Sequence, residues 1–224
     1  MRPETAARPS PLRQVVRRAM GSALPRRLFM TSGPPGCSAL AVTFDDGPHP
    51  EHTPAVLDRL RALGLRATFF VVGERAAAHP ELVARIAAEG HELGHHSYSH
   101  GAPHLTSART AVEEARRTAE LLERITGRAP RLYRPPHGKL TAGKLLGLWG
   151  LRQAVVLWNR DPKDFASGAV EPIRAYFQAT SFAAGDILLL HDVHPHVAPV
   201  LEVLAARAAA SGLRFTTPAD WLHG

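Results

Sequence analysis

Ala39-Leu40-Ala41-Val42-Thr43-Phe44-Asp45-Asp46-Gly47-Pro48 decides how this chain is read. The apolar run from Ala39 to Val42 has the character of a buried strand, and Gly47-Pro48 turns the chain away directly after two adjacent carboxylates. Adjacent like charges at a strand end are costly unless a positive group holds them, most simply a metal ion with a carboxylate ligand. Taken alone, the pair also fits an Asx turn before Gly-Pro. Downstream stands Gly94-His95-His96-Ser97-Tyr98-Ser99-His100-Gly101, a dense source of imidazole nitrogens suited to a transition metal. Together the two stretches suggest an Asp/His/His metal centre with one carboxylate left over for proton transfer.

Outward from this strand the chain alternates strand and helix. Thr53 and Pro54 read as the cap and first position of a helix to about Leu63, stopped by Gly64. Residues 67–72 are apolar and rich in β-branched and aromatic side chains, as in a strand. Pro80 opens a helix that stops at Gly90, and Ser107 begins a long one closed by Gly127. Further strands are expected at 131–133, 153–158 and 186–190, and helices at 142–149, 171–182 and 197–210, with a short turn of helix at 218–222. Repeated β-α units with near-continuous apolar strands imply an α/β fold with a parallel sheet covered by helices. The chemistry-bearing residues recur after strands, at the rim where such folds build sites.

The 224 residues suffice for one sizeable core, and 45% hydrophobic with 21% charged residues is ordinary for a globular protein. No apolar run approaches the ~20 residues that span a bilayer. A single cysteine, Cys37, excludes an internal disulfide framework. The net charge of +7 is unevenly placed: residues 1–38 hold seven Arg against one Glu, leaving the body nearly neutral. Nucleic-acid binding is therefore not expected of the folded body, which lacks a basic-aromatic face. Residues 1–38 read as a basic Arg/Pro-rich extension, ending in Gly33-Pro34-Pro35-Gly36, ahead of a catalytic body at 39–224. Within the extension, Leu12, Val15, Val16, Ala19 and Met20 fall at helical spacing opposite Arg13, Arg17 and Arg18. That pattern is compatible with weak peripheral contact to an anionic membrane surface, with a helix packed on the body, or with a disordered leader. With no export signal legible, a cytoplasmic monomer is the expectation.

The spacing His96-x-x-x-His100 could place both imidazoles on one helical face, but Gly94 and Gly101 bracket the segment and favour a loop. Arg134-Pro135-Pro136-His137-Gly138 is a proline-fixed loop after a strand, suited to an Arg that pairs with a carboxylate. Leu189-Leu190-His191-Asp192 ends a buried strand on an imidazole, which could equally be a satisfied core histidine. Asp161-Pro162-Lys163-Asp164-Phe165 follows Trp158 and supplies a carboxylate able to set such an imidazole's tautomer and pKa.

The set resembles the polysaccharide deacetylase family, the NodB-homology or carbohydrate esterase family 4 domain. Its five motifs stand here in order: TFDDGP at 43–48, HSYSH at 96–100, RPPHG at 134–138, DPKDF at 161–165 and LLHD at 189–192. The resemblance covers about residues 39–222 and leaves the extension unexplained. It implies a distorted (β/α) barrel and a divalent metal, usually zinc, with cobalt, nickel and manganese as alternatives. By that similarity Asp46, His96 and His100 are metal ligands, Asp45 the general base and His191 the general acid. Arg134 would orient Asp45, and Asp164 would tune His191. The Pro135-Pro136-His137 loop would face the substrate, with the His137 N–H toward an oxyanion. Leu189 would line a pocket for the acetyl methyl, with Trp158 and Phe165 as its walls. The implied activity is removal of N-acetyl groups from N-acetylglucosamine-containing carbohydrate: chitooligosaccharide, peptidoglycan or exopolysaccharide.

Three positions depart from the family pattern. His95 stands where Asn is usual and could compete as a ligand; His137 replaces the common Tyr, and Phe165 the usual Trp. None removes a group the chemistry needs, so an active enzyme with altered substrate contacts is expected. His49, His52, His104, His194 and His196 read as loop or surface residues. The main rival is a deacylase or deformylase of a lipid-linked or small amino sugar from the same superfamily. An inactive carbohydrate-binding module would not need base, ligands and acid together. A two-His-one-carboxylate iron oxygenase leaves Asp45, Arg134 and His191 without a role.

Overall fold

Strand and helix alternate through residues 19–222, the part of the chain that the computed structural model describes. The strands are Phe29–Met30 (β1), Ala39–Asp45 (β2), Thr68–Val71 (β3), Glu92–His95 (β4), Leu132–Tyr133 (β5), Ala154–Val156 (β6), Ile187–His191 (β7) and Arg214–Thr216 (β8). The helices are His52–Leu63 (α1), Gly73–Ala78 (α2), Pro80–Ala88 (α3), Ala108–Thr126 (α4), Ala142–Gly150 (α5), Asp164–Ser167 (α6), Val170–Ala179 (α7) and Leu201–Ala210 (α8). Ser107 caps α4 by accepting the Thr110 N–H, and Gly127 ends it in the left-handed conformation, as their positions in the sequence predict.

The sheet runs β1-β6-β5-β4-β3-β2-β7, with β8 against the start of β2, and every pairing is parallel. Main-chain bonds curl it closed. Beyond β6, Arg160 bridges Leu188 in parallel, and Leu189 N–H donates to the Arg160 carbonyl at 2.9 Å. Gly33 N–H reaches the Gly185 carbonyl at 2.8 Å across the same seam. The result is a distorted (β/α) barrel of NodB type.

Alternation within the strands sorts side chains into layers. Leu40, Val42, Phe44, Phe69, Val71, Leu188 and Leu190 pack outward against Val56, Leu57 and Leu60 of α1 and Leu204 of α8. Their neighbours Ala41, Phe70 and Ile187 join Met30, Leu132, Ala154 and Val156 in a second cluster inside the barrel. Each large apolar side chain buried this way contributes about 1.5–3 kcal/mol. By the same parity Thr43 and Asp45 follow Ala41, and Leu189 and His191 follow Ile187, to the inner side. The inner wall thus changes from apolar to polar at the strands' C-terminal ends.

The structure differs from the sequence expectations at several element ends. Thr53 is not a helix cap; it lies in the first turn of α1, where its hydroxyl accepts the His49 N–H and donates to Asp192. The sixth strand is shorter than 153–158, because Leu157 onward leaves to build the seam. Helix α7 stops at Ala179, and Phe182 packs into the outer cluster from the loop beyond it. Short helices α2 and α6 and strand β1 carry too little periodicity to be read from sequence. The basic amphipathic pattern over residues 12–20 lies mostly outside the described residues; Met20, at its end, packs against the cluster around Phe29, Tyr133 and Leu148. Among the described residues no helix is long and apolar enough to cross a membrane.

Candidate active site and metal centre

Sheet register brings the candidate groups together. Asp45 pairs with Phe70 on one side and His191 on the other, and Phe70 pairs in turn with Gly94. Asp46 leaves β2 in the left-handed conformation, with φ 74°, and its carboxylate and that of Asp45 both approach His96 Nε2. Gly47 follows where no side chain fits: a Cβ there would stand 2.1 Å from Asp192 Oδ2. Gly94 is cleared for the same reason, since a Cβ would meet the Phe70 ring at 2.5 Å.

Asp46, His96 and His100 present ligand atoms within 4.8 Å of one another. Asp46 Oδ1 stands 3.5 Å from His96 Nε2 and 3.2 Å from His100 Nε2. That oxygen is buried and makes no hydrogen bond, an orphan where a cation would fit between carboxylate and imidazoles. His96 Nδ1 meets the Arg134 carbonyl at 2.8 Å, which fixes the tautomer that leaves a lone pair on Nε2. Burial carries the His96 pKa down to about 3, so the ring is neutral, as a ligand must be. Burial opposes the Asp46 charge, but the imidazoles of His96, His191 and His100 hold its carboxyl below the usual range. Of His96 and His191, it is His191 that carries charge at neutral pH.

Asp45 is held from the other side. Arg134 Nη1 donates to Asp45 Oδ1 and to Thr43 Oγ1, both at 2.7 Å. Its Nε reaches the Val156 carbonyl at 3.1 Å and Nη2 the Leu157 carbonyl at 3.4 Å. The guanidinium is fully buried over the Phe70 ring at 4.1 Å, with Trp158 beyond at 5.6 Å. Four hydrogen bonds, one of them to the Asp45 carboxylate, and an aromatic face together make this burial of charge tolerable. Burial pushes the Asp45 carboxyl up to about 6 against the pull of Arg134 and His191. Its other oxygen, Oδ2, faces His96 Nε2 at 3.7 Å.

His191 is gripped by Asp164, whose Oδ1 meets Nδ1 at 2.9 Å and whose Oδ2 accepts the His191 backbone N–H at 2.7 Å. Burial works against an imidazolium here, yet the Asp164 charge and hydrogen bond outweigh it. With Asp46 and Asp45 they carry the pKa up to about 10. Phe165 stands edge-on to His191 at 5.5 Å, and Trp158 donates to Asp161 at 3.3 Å. Leu189, buried and paired with Thr43, lies one inward position below His191. Pro135 and Pro136 are buried; exposed His137 has φ 55° and its ring lies 5.1 Å from that of His100.

His95 is no competitor for the metal. Strand parity sends it to the helix side of the sheet, where its Nε2 lies 3.1 Å from Gln153 Oε1 and its ring packs on Tyr133. His196 is not a surface residue: it is buried, and its Nε2 bonds the Asp164 carbonyl at 2.9 Å. Sequence reading also misses Thr43 and Phe70, which hold Arg134. Phe70 carried no signal, being one apolar residue among several in its strand, whereas Thr43 lay inside a motif already singled out.

Barrel and site together define an α/β barrel with a candidate metal centre and an acid–base pair at its C-terminal rim. The polysaccharide deacetylase family model matches residues 32–151. Over 199 residues the chain is 36% identical to a peptidoglycan-N-acetylglucosamine deacetylase of Bacillus cereus, covering 84% of this chain and 70% of that protein. It is 33% identical over 185 residues to the peptidoglycan-N-acetylmuramic acid deacetylase PdaC of Bacillus subtilis, covering 82% of this chain but only 38% of that protein. The crystal structure of the Bc1960 peptidoglycan N-acetylglucosamine deacetylase superposes with a TM-score of 0.80 at 32% identity, over 88% of this chain and 93% of that one. This chain belongs to the polysaccharide deacetylase family.

Proposed function

We propose that the protein hydrolyses the acetamide of N-acetylglucosamine units in a carbohydrate polymer, peptidoglycan foremost, yielding acetate and a free amino sugar. The observation that carries this reading is geometric: Asp45, held by Arg134, and His191, held by Asp164, are register partners beside the Asp46-His96-His100 cluster. At neutral pH one is ready to accept a proton and the other to give one. Asp46, His96 and His100 are the residues that would hold a divalent cation, zinc first among the candidates. Bound there, the cation supplies Lewis-acid polarisation of the amide carbonyl and a lowered pKa for water.

The chain's own groups do the rest. Asp45 takes the proton of the attacking water, its carboxylate aimed by Arg134. His137 offers its backbone N–H to the developing oxyanion. His191 Nε2 delivers a proton to the departing amine nitrogen, while Asp164 on Nδ1 keeps the ring oriented and charged. Leu189, Trp158 and Phe165 exclude water around the acetyl methyl, and Pro135 and Pro136 stiffen the loop that meets the sugar. The two peptidoglycan relatives, both deacetylases by name, make peptidoglycan the first substrate to test. Purified protein should release acetate from peptidoglycan fragments with zinc and lose that activity with chelator. Zinc bound tightly but no acetate from peptidoglycan or chitooligosaccharide would redirect the assignment to another amide.

A further inference from the structure

Two of the three proposed metal ligands, His96 and His100, sit on one loop whose backbone is held in a costly shape. Ser97 and His100 both adopt positive φ, 64° and 53°, without being glycine. The loop's carbonyls are satisfied from one side: Gly73 N–H donates to Ser97 at 3.1 Å and Glu74 N–H to Tyr98 at 2.9 Å. Ser97 Oγ accepts the His100 N–H at 3.0 Å. The N–H groups of Tyr98 and Ser99 point the other way and have one acceptor, Glu114 of α4. Glu114 Oε2 takes them at 3.3 and 3.4 Å, and Oε1 takes the Ser99 hydroxyl at 2.7 Å. One turn further along α4, the Arg117 guanidinium lies 3.5 Å over the Tyr98 ring.

The geometry points to Glu114 as a positioning residue that holds His96 and His100 in register for the metal. It touches no ligand atom. Its carboxylate fixes the two residues midway between them, and α4 anchors that carboxylate through its buried face of Ala111, Ala115, Thr118 and Leu122. Two backbone donors on a single carboxylate also make charge-assisted bonds that water would replace only partly. Without Glu114 the segment between the two left-handed residues keeps its bonds to Gly73 and Glu74 but loses its hold on α4. The imidazole nitrogens then converge less closely on Asp46 Oδ1. Groups one step out from a metal commonly govern its affinity in this way.

The inference rests on the proposed metal reading, and metal affinity separates the two. Full-length protein, stripped and then titrated with zinc against a chromophoric chelator, gives the dissociation constant for wild type, Glu114→Ala and Glu114→Gln. The metal-free melting midpoint is recorded alongside. We expect Glu114→Ala to weaken zinc binding by about tenfold to a hundredfold. Glu114→Gln, which keeps one acceptor and loses the charge, should fall between it and wild type. Affinity within twofold of wild type in Glu114→Ala overturns the inference, even with a lowered melting midpoint, because the residue would then serve the fold alone. Should that variant fail to fold, unchanged affinity in Glu114→Gln overturns it equally. Wild-type protein that binds no zinc removes the metal reading itself, a different outcome.

Discussion

Asp45 and His191 are register partners on adjacent parallel strands, one strand spacing apart on the inner wall of the barrel. Their environments differ. Arg134 pairs with Asp45, and Asp164 with His191, so one group is poised to take a proton while the other keeps its own. The rate should therefore be bell-shaped in pH. It should rise as Asp45 ionises and fall as His191 loses its proton, with both limbs drawn below pH 6 and pH 10 by the charge of a bound cation. In Asp164→Asn the charge that holds the His191 proton is gone, so the alkaline limb must move to lower pH. A kcat/KM profile for both proteins checks this; an unmoved alkaline limb would take His191 out of the acid role.

Replacing Asp45 by Asn removes a proton acceptor without touching the ligand set. Acetate release should drop by about 10²–10⁴-fold while zinc stoichiometry stays at the wild-type value. Near-wild-type turnover would remove Asp45 as base.

Arg134 is fully buried and braces four acceptors, so its loss leaves the Asp45 charge without its main partner. Arg134→Met should destabilise the fold by about 3–5 kcal/mol in urea titrations. The acid limb of the activity profile should also move upward, since the Arg134 charge and hydrogen bond both lower the Asp45 pKa. A loss below 1 kcal/mol would mean that the burial of this guanidinium contributes little.

Metal binding should also show in stability. A cation that binds only the folded chain adds about 2.7 kcal/mol at a hundredfold excess over its dissociation constant. A zinc-dependent rise in melting midpoint is therefore expected for wild type, and its absence in His96→Ala would trace it to this cluster. A rise surviving in His96→Ala would place the zinc elsewhere.

His95 provides the opposite control. His95→Ala empties a buried site and leaves Gln153 Oε1 without its partner, costing about 2–4 kcal/mol of stability. Zinc affinity should not change, because the ring faces the helix side of the sheet. Weakened zinc binding in this variant would contradict that placement.

Much of this site can be read from the sequence because its residue types are improbable where they stand. Asp45-Asp46 ends an apolar strand, His96 and His100 are bracketed by glycines, and His191 closes another apolar run. What sequence leaves undecided is direction. Gly94-His95-His96 offers two histidines with equal claim to a metal, and only the pairing of Gly94 with Phe70 and Leu132 shows which faces inward. Phe69 and Phe70 are likewise interchangeable on the page, though one packs under α1 and the other under Arg134. Glu114 lies in a stretch crowded with Glu and Arg, where it resembles any solvated charge. His196 reads as a loop residue until the fold brings it beneath Asp164.

Gly47 carries no functional group, yet Asp192 occupies the space where its side chain would be. In a saturation-mutagenesis map it would therefore score as intolerant as Asp45 or His96. Even alanine displaces the buried carboxylate that Thr53 holds. Intolerance to change along this strand end thus has two origins, chemistry and plain volume, and assays that separate folded yield from turnover would tell them apart position by position.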